Sequence, residues 1–415
     1  MGNTPSKADR GDEPPKTTLF EKEPDGITYR IPALIYLRHC GTFLAFAEKR
    51  SSPCDSDAKH LVMRRGVQND DGSIQWMASE DLSTACLPAY RTMNPCPVFE
   101  KNTSTVFLFF ICVVGNISEN RQIYTGRNKA RLCYISSGDD GRTWSELKDI
   151  TESVIGQDIG NWATFAVGPG HGLQLENGRL IIPAYAYYMP YKCFSFPIPY
   201  TVYPHALTLY STDFGKTWHM GKMLRKKSCE CEMAEIIDHE GGSHLYCNAR
   251  TFGGHRREAL SQDSGICFDK PRKAQELVEQ PHGCQGSIIG FPAPEFIPNE
   301  DDESKVCNKG DEGDVPLSPD TQTWLLFMHP TSKNSRRDMG VYLNRSPLHS
   351  RGWDQPRILN SGPSGYSDLA YDRDKDQFLC LMECGKESES EQIAFMAFTL
   401  KDVMQANRKN NDKMS

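Results

Sequence analysis

The chain has 415 residues, 38% of them hydrophobic and 24% charged, a composition of soluble globular proteins with material for a sizeable core. No run approaches the roughly 18 apolar residues of a membrane-spanning helix, and the longest, Val106 to Val114, is strand-sized. A formal net charge of -7 excludes wholesale attraction to nucleic acid or to an acidic membrane, so any anion site must be local.

The chain opens on Met1-Gly2-Asn3-Thr4-Pro5-Ser6, which fits the M-G-x-x-x-[ST] pattern for myristoylation of Gly2. Residues 1–20 read as a disordered arm able to carry such an anchor, with Lys7 and Arg10 as a thin basic supplement. One myristoyl chain gives marginal, reversible binding, so stable attachment calls for a second signal. Fifteen cysteines, an odd number spread through strand-like stretches (Cys112, Cys133, Cys247, Cys380), read as reduced thiols facing a cytosol. On that reading the sequons at Asn102, Asn116 and Asn344 stay unmodified. Cys229-Glu230-Cys231 and the Cys380/Cys384 spacing are not C-x-x-C pairs and H-E-x-x-H is missing, so no metal and no cofactor are expected.

Tyr29-Arg30-Ile31-Pro32 sets an arginine at the mouth of an apolar strand. A guanidinium carries five donors in a rigid fork and keeps its proton, so it pairs with a carboxylate or receives an anion. Pro32 biases Ile31 toward an extended backbone that would aim Arg30 reproducibly. From residue 27 onward short extended segments alternate with turn residues: 31–37, 42–48, 59–65 and 74–76, then 104–113, 130–136, 179–185, 205–210, 243–249, 285–291, 322–328, 339–344, 366–371, 377–383 and 392–398. Four such strands in a row make a blade-sized sheet.

Ser137-Gly138-Asp139-Asp140-Gly141-Arg142-Thr143-Trp144 and Ser211-Thr212-Asp213-Phe214-Gly215-Lys216-Thr217-Trp218 share S-x-D-x-G-x-T-W, each directly after a strand; Ser261-Gln262-Asp263-Ser264-Gly265 is a decayed third copy. The aspartate suits a turn in which it accepts backbone hydrogens, the glycine a left-handed conformation, and the tryptophan a plug into the sheet. Gly215-Lys216-Thr217 is no phosphate loop, because Tyr210 stands where the first glycine is required. Asn299 to Thr321 is acidic and reads as a disordered surface insertion, and 403–415 as a polar tail, leaving one domain over 21–402.

The S-x-D-x-G-x-T-W pattern is the Asp box and resembles the signature of sialidase-type β-propellers; Tyr29-Arg30-Ile31-Pro32 resembles their [FY]-R-I-P motif. Thr92 to Pro97, Ala163 to Gly172, His282 to Ser287 and Gly365 to Leu369 extend the resemblance over about residues 25 to 400. It is to the animal sialidases, the plasma-membrane-associated ganglioside sialidases of vertebrates above all. The resemblance implies an all-β, six-bladed β-propeller with the site at one end of the axis and structural Asp boxes away from it. It implies a retaining exo-alpha-sialidase acting on glycolipids and glycoproteins, gangliosides favoured. The expected location is peripheral at the plasma membrane, lipid-anchored, with a cytoplasmic location as the alternative.

The substrate imposes its own chemistry. Sialic acid bears a carboxylate on its anomeric carbon, so several arginines are expected beside the reacting atom. By resemblance these are Arg30, Arg250 and Arg336, with Arg337 the alternative to the last. A carboxylate nucleophile would be pressed against the substrate's own carboxylate, whereas a neutral phenol avoids that repulsion. Tyr366 matches that nucleophile and Glu235 the glutamate that takes its proton, while Asp55, or else Asp57, matches the acid/base. Glu383 and Glu48 are candidates to orient Arg30, and Arg50, Asn94, Glu119, Tyr185 and Tyr187 to line the pocket. The rival reading is a catalytically inert propeller that binds sialosides or serves as a scaffold.

Overall fold

The computed structural model describes residues 13–69, 71–193, 196–198, 201–294 and 321–404. Gly2, nearly all of the acidic insertion and most of the tail lie outside them. The chain is all-β with short helical turns, in a propeller-like arrangement. Four sheets of four or five antiparallel strands succeed one another along the chain, begun by Thr28–Leu37, Tyr90–Glu100, Trp162–Val167 and Cys231–Ile237. A seven-stranded sheet and a two-stranded ribbon complete the set among the described residues. The pairing therefore presents four blade-sized sheets and one larger sheet, not the six separate blades expected. The cause is one long strand, Arg357–Asp372, which pairs with Arg337–Asn344 through its first half and with Gln377–Cys384 through its second.

Strands buried on both faces read as continuous apolar runs, which explains their visibility in the sequence. Along Thr42–Arg50, side chains alternate between two cores. Leu44 and Phe46 join Leu108, Phe110 and Ile135 of the second sheet. Phe43, Ala45 and Ala47 join Leu379, Leu381 and Ile393 of the last. First and last sheets thus share a core, and the ring closes. The N-terminal strand contributes to that closure: Lys16–Glu21 pairs with Gln392–Thr399, Lys16 opposite Met396. This corrects the expectation of a disordered arm through residue 20, since Leu19 and Phe20 are buried in the core between first and last sheets.

The three repeated turns share one set of hydrogen bonds. In the first, Ser137 Oγ donates to Asp139 at 2.8 Å, Gly141 N donates to Ser137 Oγ at 2.8 Å and Thr143 N to Asp139 at 2.8 Å. The Ser211 turn repeats all three, and so does the decayed copy, where Cys267 N replaces the threonine donor. Gly215 has φ 82°, and a Cβ there would lie 2.3 Å from the Phe107 ring, so both backbone and space demand glycine. Trp218 is buried edge-on against Phe109 of the neighbouring sheet, the centroids 4.6 Å apart. No helix among the described residues is long and apolar enough to cross a membrane.

Candidate active site

The first strand bulges at the site. Arg30 pairs across with Glu48 and the register then slips before Ala33. Ile31 sits at φ 60°, in the left-handed region, not extended as Pro32 suggested. Such a backbone costs a β-branched residue about 1–2 kcal/mol. It is held by Glu383, which accepts Ile31 N at 2.9 Å and binds Arg30 by both oxygens at 2.6 and 3.0 Å. A charge-assisted bond of about 1.5–3 kcal/mol offsets the strain. Glu383 also accepts Tyr366 N at 3.0 Å, which fixes Arg30 and Tyr366 to one carboxylate. Burial alone would raise the Glu383 pKa; Arg30 and the two backbone N–H groups hold it below the usual carboxylate range.

Tyr366 stands in Arg357–Asp372 at a register slip between Ser364 and Ser367. Its hydroxyl donates to Glu230 at 2.5 Å and accepts from Arg250 Nη1 at 2.9 Å. Arg250 Nη1 also meets Glu230 at 2.6 Å, so phenol, carboxylate and guanidinium form a closed triangle. Arg30 and Arg336 lie 5.9 and 5.3 Å from the tyrosine ring centroid. Burial, then the Glu230 carboxylate, push the phenol well above its usual range, while Arg250 and Arg336 pull it down. Of Arg336 and Arg337, Arg336 faces Tyr366 and donates to Gly283 O at 3.0 Å, whereas Arg337 is exposed. Among the described residues Arg336 has no carboxylate within ion-pair distance. Its neighbour is the buried Cys284 thiol, which burial pushes up to about 11.

Glu235 is not beside Tyr366. Both its oxygens are occupied elsewhere, by Ser243 Oγ at 2.6 Å and Glu176 N at 2.9 Å. It lines a different cavity of about 810 Å³ together with Leu34, Ser243, Ile289 and Leu369. Five residues of strand at about 3.3 Å each carry it roughly 16 Å from Glu230. Odd spacing also turns it to the other face. The sequence held a signal for the glutamate beside Tyr366. The turn at 238–242 folds the chain back about residue 240, so Cys231 pairs with Ala249 and Glu230 falls beside Arg250.

Glu48 does not orient Arg30 either. It shares a face with Arg50, two residues on, and binds that guanidinium at 2.8 and 2.6 Å while accepting Asn94 N at 2.6 Å. Burial raises the Glu48 pKa despite the opposing pull of Arg50. Arg50, itself buried, donates to Asp55 at 2.6 Å and to Pro53 O at 3.0 Å, holding the exposed Asp55 carboxylate at the mouth. Asp57 turns back to Ser52 Oγ at 2.6 Å. Asn94 sits at φ 59° in a second bulge. Tyr185 donates to Glu119 at 3.4 Å, and the buried Tyr187 stands 4.0 Å from Cys229 Sγ. Burial first, then Glu230 and Asp55, raise Glu119 to about 7. Arg250 opposes that rise from the same pocket.

The ligand atoms of His171, Glu232 and Asp368 lie within 4.8 Å of one another. His171 meets Asp368 at 2.6 Å and Ser287 Oγ bonds both carboxylates. Against the lowering effect of burial, Asp368 and Glu232 hold the imidazole up to about 9.

A tyrosine hydroxyl paired with a carboxylate and ringed by three arginines is an arrangement suited to a glycosidase for a carboxylated sugar. Residues 41–379 match the BNR repeat-like domain family. The chain is 51% identical over 399 residues to Sialidase-3 of Bos taurus and 49% identical over 398 residues to Sialidase-3 of Homo sapiens. These alignments cover 93% of this chain and, respectively, 93% and 92% of the relatives. The chain belongs to the animal sialidases, exo-α-sialidases among the glycoside hydrolases. In fold it is similar to a solved Hadza microbial sialidase, Hz136, with a TM-score of 0.71 at 24% identity over 94% of this chain and 69% of that one.

Proposed function

We propose that this sialidase releases terminal sialic acid from glycoconjugates with retention of configuration, Tyr366 acting as nucleophile. The observation that carries the reading is the 2.5 Å hydrogen bond from the Tyr366 hydroxyl to Glu230, closed by Arg250 at 2.9 Å. Arg30, Arg250 and Arg336 bind the substrate carboxylate. As the Tyr366 oxygen attacks the anomeric carbon, its proton passes to Glu230 and Asp55 protonates the departing glycosidic oxygen. Water then attacks the sialyl-tyrosine bond, giving its proton to Asp55, and the phenolate recovers its proton from Glu230. Two displacements restore the original configuration. Arg50, Asn94, Glu119, Tyr185 and Tyr187 line the pocket for the remainder of the sugar.

The likeness to ganglioside sialidases supports gangliosides as favoured substrates and peripheral attachment to the plasma membrane through an acylated Gly2. The two pairing halves of Arg357–Asp372 support a count of six blades, with the seven-stranded sheet read as two blades sharing that strand. The three repeated turns are read as Asp boxes.

Tyr366→Phe tests the mechanism. It should reduce kcat on a fluorogenic sialoside by at least about 10³ while the Kd of a 2,3-unsaturated sialic acid changes by less than about fivefold. Parallel losses of turnover and binding would make Tyr366 a structural residue.

A further inference from the structure

Two of the arginines around Tyr366 are held by backbone carbonyls of one turn. His282 O accepts Arg250 at 3.2 and 2.6 Å, and Gly283 O accepts Arg336 at 3.0 Å. Both carbonyls belong to consecutive left-handed residues, His282 at φ 68° and Gly283 at φ 71°, closed by Gly283 N on Gln280 O at 2.9 Å. A left-handed histidine is strained, so its carbonyl is aimed only if something outside the turn holds it.

That support is Glu279, which is buried. One oxygen accepts Cys284 N at 2.9 Å, at the far end of the turn; the other accepts Thr251 N at 3.0 Å, directly after Arg250. Arg256, also buried, bonds Glu279 at 3.0 Å, Cys284 O at 2.5 Å and Asn248 at 2.8 Å, fastening the carboxylate and the turn to the strand that leads into Arg250. The Gln280 amide donates to Pro330 O at 2.7 Å and Ser332 O at 2.9 Å, tying in the loop that carries Arg336. Burial would raise Glu279, but Arg256, the His329 ring 3.2 Å away and the Thr251 N–H hold it at about 2.

We propose that Glu279, backed by Arg256, is a positioning residue for the reaction: it sets the Gln280–Cys284 turn whose two carbonyls aim Arg250 and Arg336 at the substrate carboxylate. The inference rests on the arginine reading of the site. Its consequence is that binding of the anionic sugar depends on a residue that never touches it.

Three variants decide the matter, each measured for melting temperature, for kcat and KM, and for the Kd of a 2,3-unsaturated sialic acid. Glu279→Gln keeps the side-chain shape but sets an amide against Thr251 N or Cys284 N, donor to donor. Gly283→Ala leaves Glu279 intact and puts a Cβ 2.1 Å from Thr251 O and 2.9 Å from Arg250 Cγ. Arg250→Lys removes the guanidinium itself. Because misplacing a binding group by about 1 Å costs up to about a hundredfold, Glu279→Gln and Gly283→Ala should each weaken inhibitor binding at least about tenfold and raise KM more than they lower kcat. A lower melting temperature with an unchanged Kd in Glu279→Gln would overturn the proposal while Arg250→Lys still lost binding. Should Glu279→Gln fail to fold, an unchanged Kd in Gly283→Ala overturns it alone. Full affinity in Arg250→Lys would instead remove the arginine reading beneath it.

Discussion

Glu230→Gln compared with Glu235→Gln is the sharpest test of the site, because the two glutamates differ in geometry by the length of a strand. Glu230 takes the Tyr366 proton at 2.5 Å and the Arg250 guanidinium at 2.6 Å. Glutamine preserves the shape but cannot accept a proton. Two consequences oppose one another. Losing the Glu230 charge relieves one of the pushes that raise the phenol, which favours ionisation, but burial, the larger push, remains. The base itself is gone, and a positioned general base contributes about 10²–10⁴ in rate. The base term wins, and kcat should fall by about 10³, or roughly 4 kcal/mol of transition-state stabilisation. Among the described residues Glu235 bonds Ser243 and the Glu176 N–H, so Glu235→Gln should stay within about twofold in kcat and lose at most ~1 kcal/mol of stability from weakened hydrogen bonds. Steady-state turnover of a fluorogenic sialoside and urea unfolding measure both. Equal losses in the two variants, or more than about a tenth of the activity surviving in Glu230→Gln, would refute the reassignment.

The pH response should single out Glu119. Its pKa near 7 lies above the ordinary carboxylate value, so it is neutral in the acid range and gains its charge, beside the anion-binding arginines, as pH rises through 7. Affinity for an unsaturated sialic acid should therefore be higher at pH 6 than at pH 8, and Glu119→Gln should flatten the dependence; an identical slope in the variant would implicate another group. By the same linkage Glu119 favours folding below its pKa and loses that contribution as pH rises from about 4.5 toward 7. Gly2→Ala should move the protein from the membrane to the soluble fraction and lower activity on gangliosides in vesicles relative to a soluble sialoglycoprotein. Unchanged fractionation would dismiss the acyl anchor.

The strands that read clearly from the sequence are those with unbroken apolar runs, such as Val106 to Val114 within Thr105–Val114. Tyr90–Glu100 has no counterpart among the expected segments, because Pro95, Pro97 and the bulge between Met93 and Cys96 interrupt its pattern, whereas Thr28–Leu37 reads only from Ile31, beyond its own bulge. Those bulges are where Arg30 and Asn94 are held, so the features that form the site also hide its strands. Arg30, Arg250 and Tyr366 were legible through short motifs. Glu230 lies outside the Glu232 to Glu235 stretch that carries the resemblance, and only the hairpin folded about residue 240 sets it beside Arg250. Lys16–Glu21 was missed because its pairing with Gln392–Thr399, some 375 residues away in sequence, leaves no local trace. Glu279 and Arg256 carry no motif; only their bonds to backbone identify them.

The charge count around Tyr366 shows how a chain of net charge -7 makes a local anion site. Arg30 is matched by Glu383 and Arg250 by Glu230. Arg336 is matched, among the described residues, by the Gly283 carbonyl and by a thiol that burial keeps protonated. Three guanidiniums against two carboxylates leave one positive charge facing the tyrosine, the complement of a single substrate carboxylate. A third carboxylate on Arg336 would cancel the binding charge. Removing either existing one would leave a largely covered guanidinium without its carboxylate, at a cost below the roughly 3–5 kcal/mol of a fully buried broken pair. With a substrate carboxylate bound, these three arginines and two carboxylates would sum to zero, and both protein carboxylates are already committed to arginines. A nucleophile that enters without a charge then disturbs the balance least, which a phenol does and another carboxylate would not.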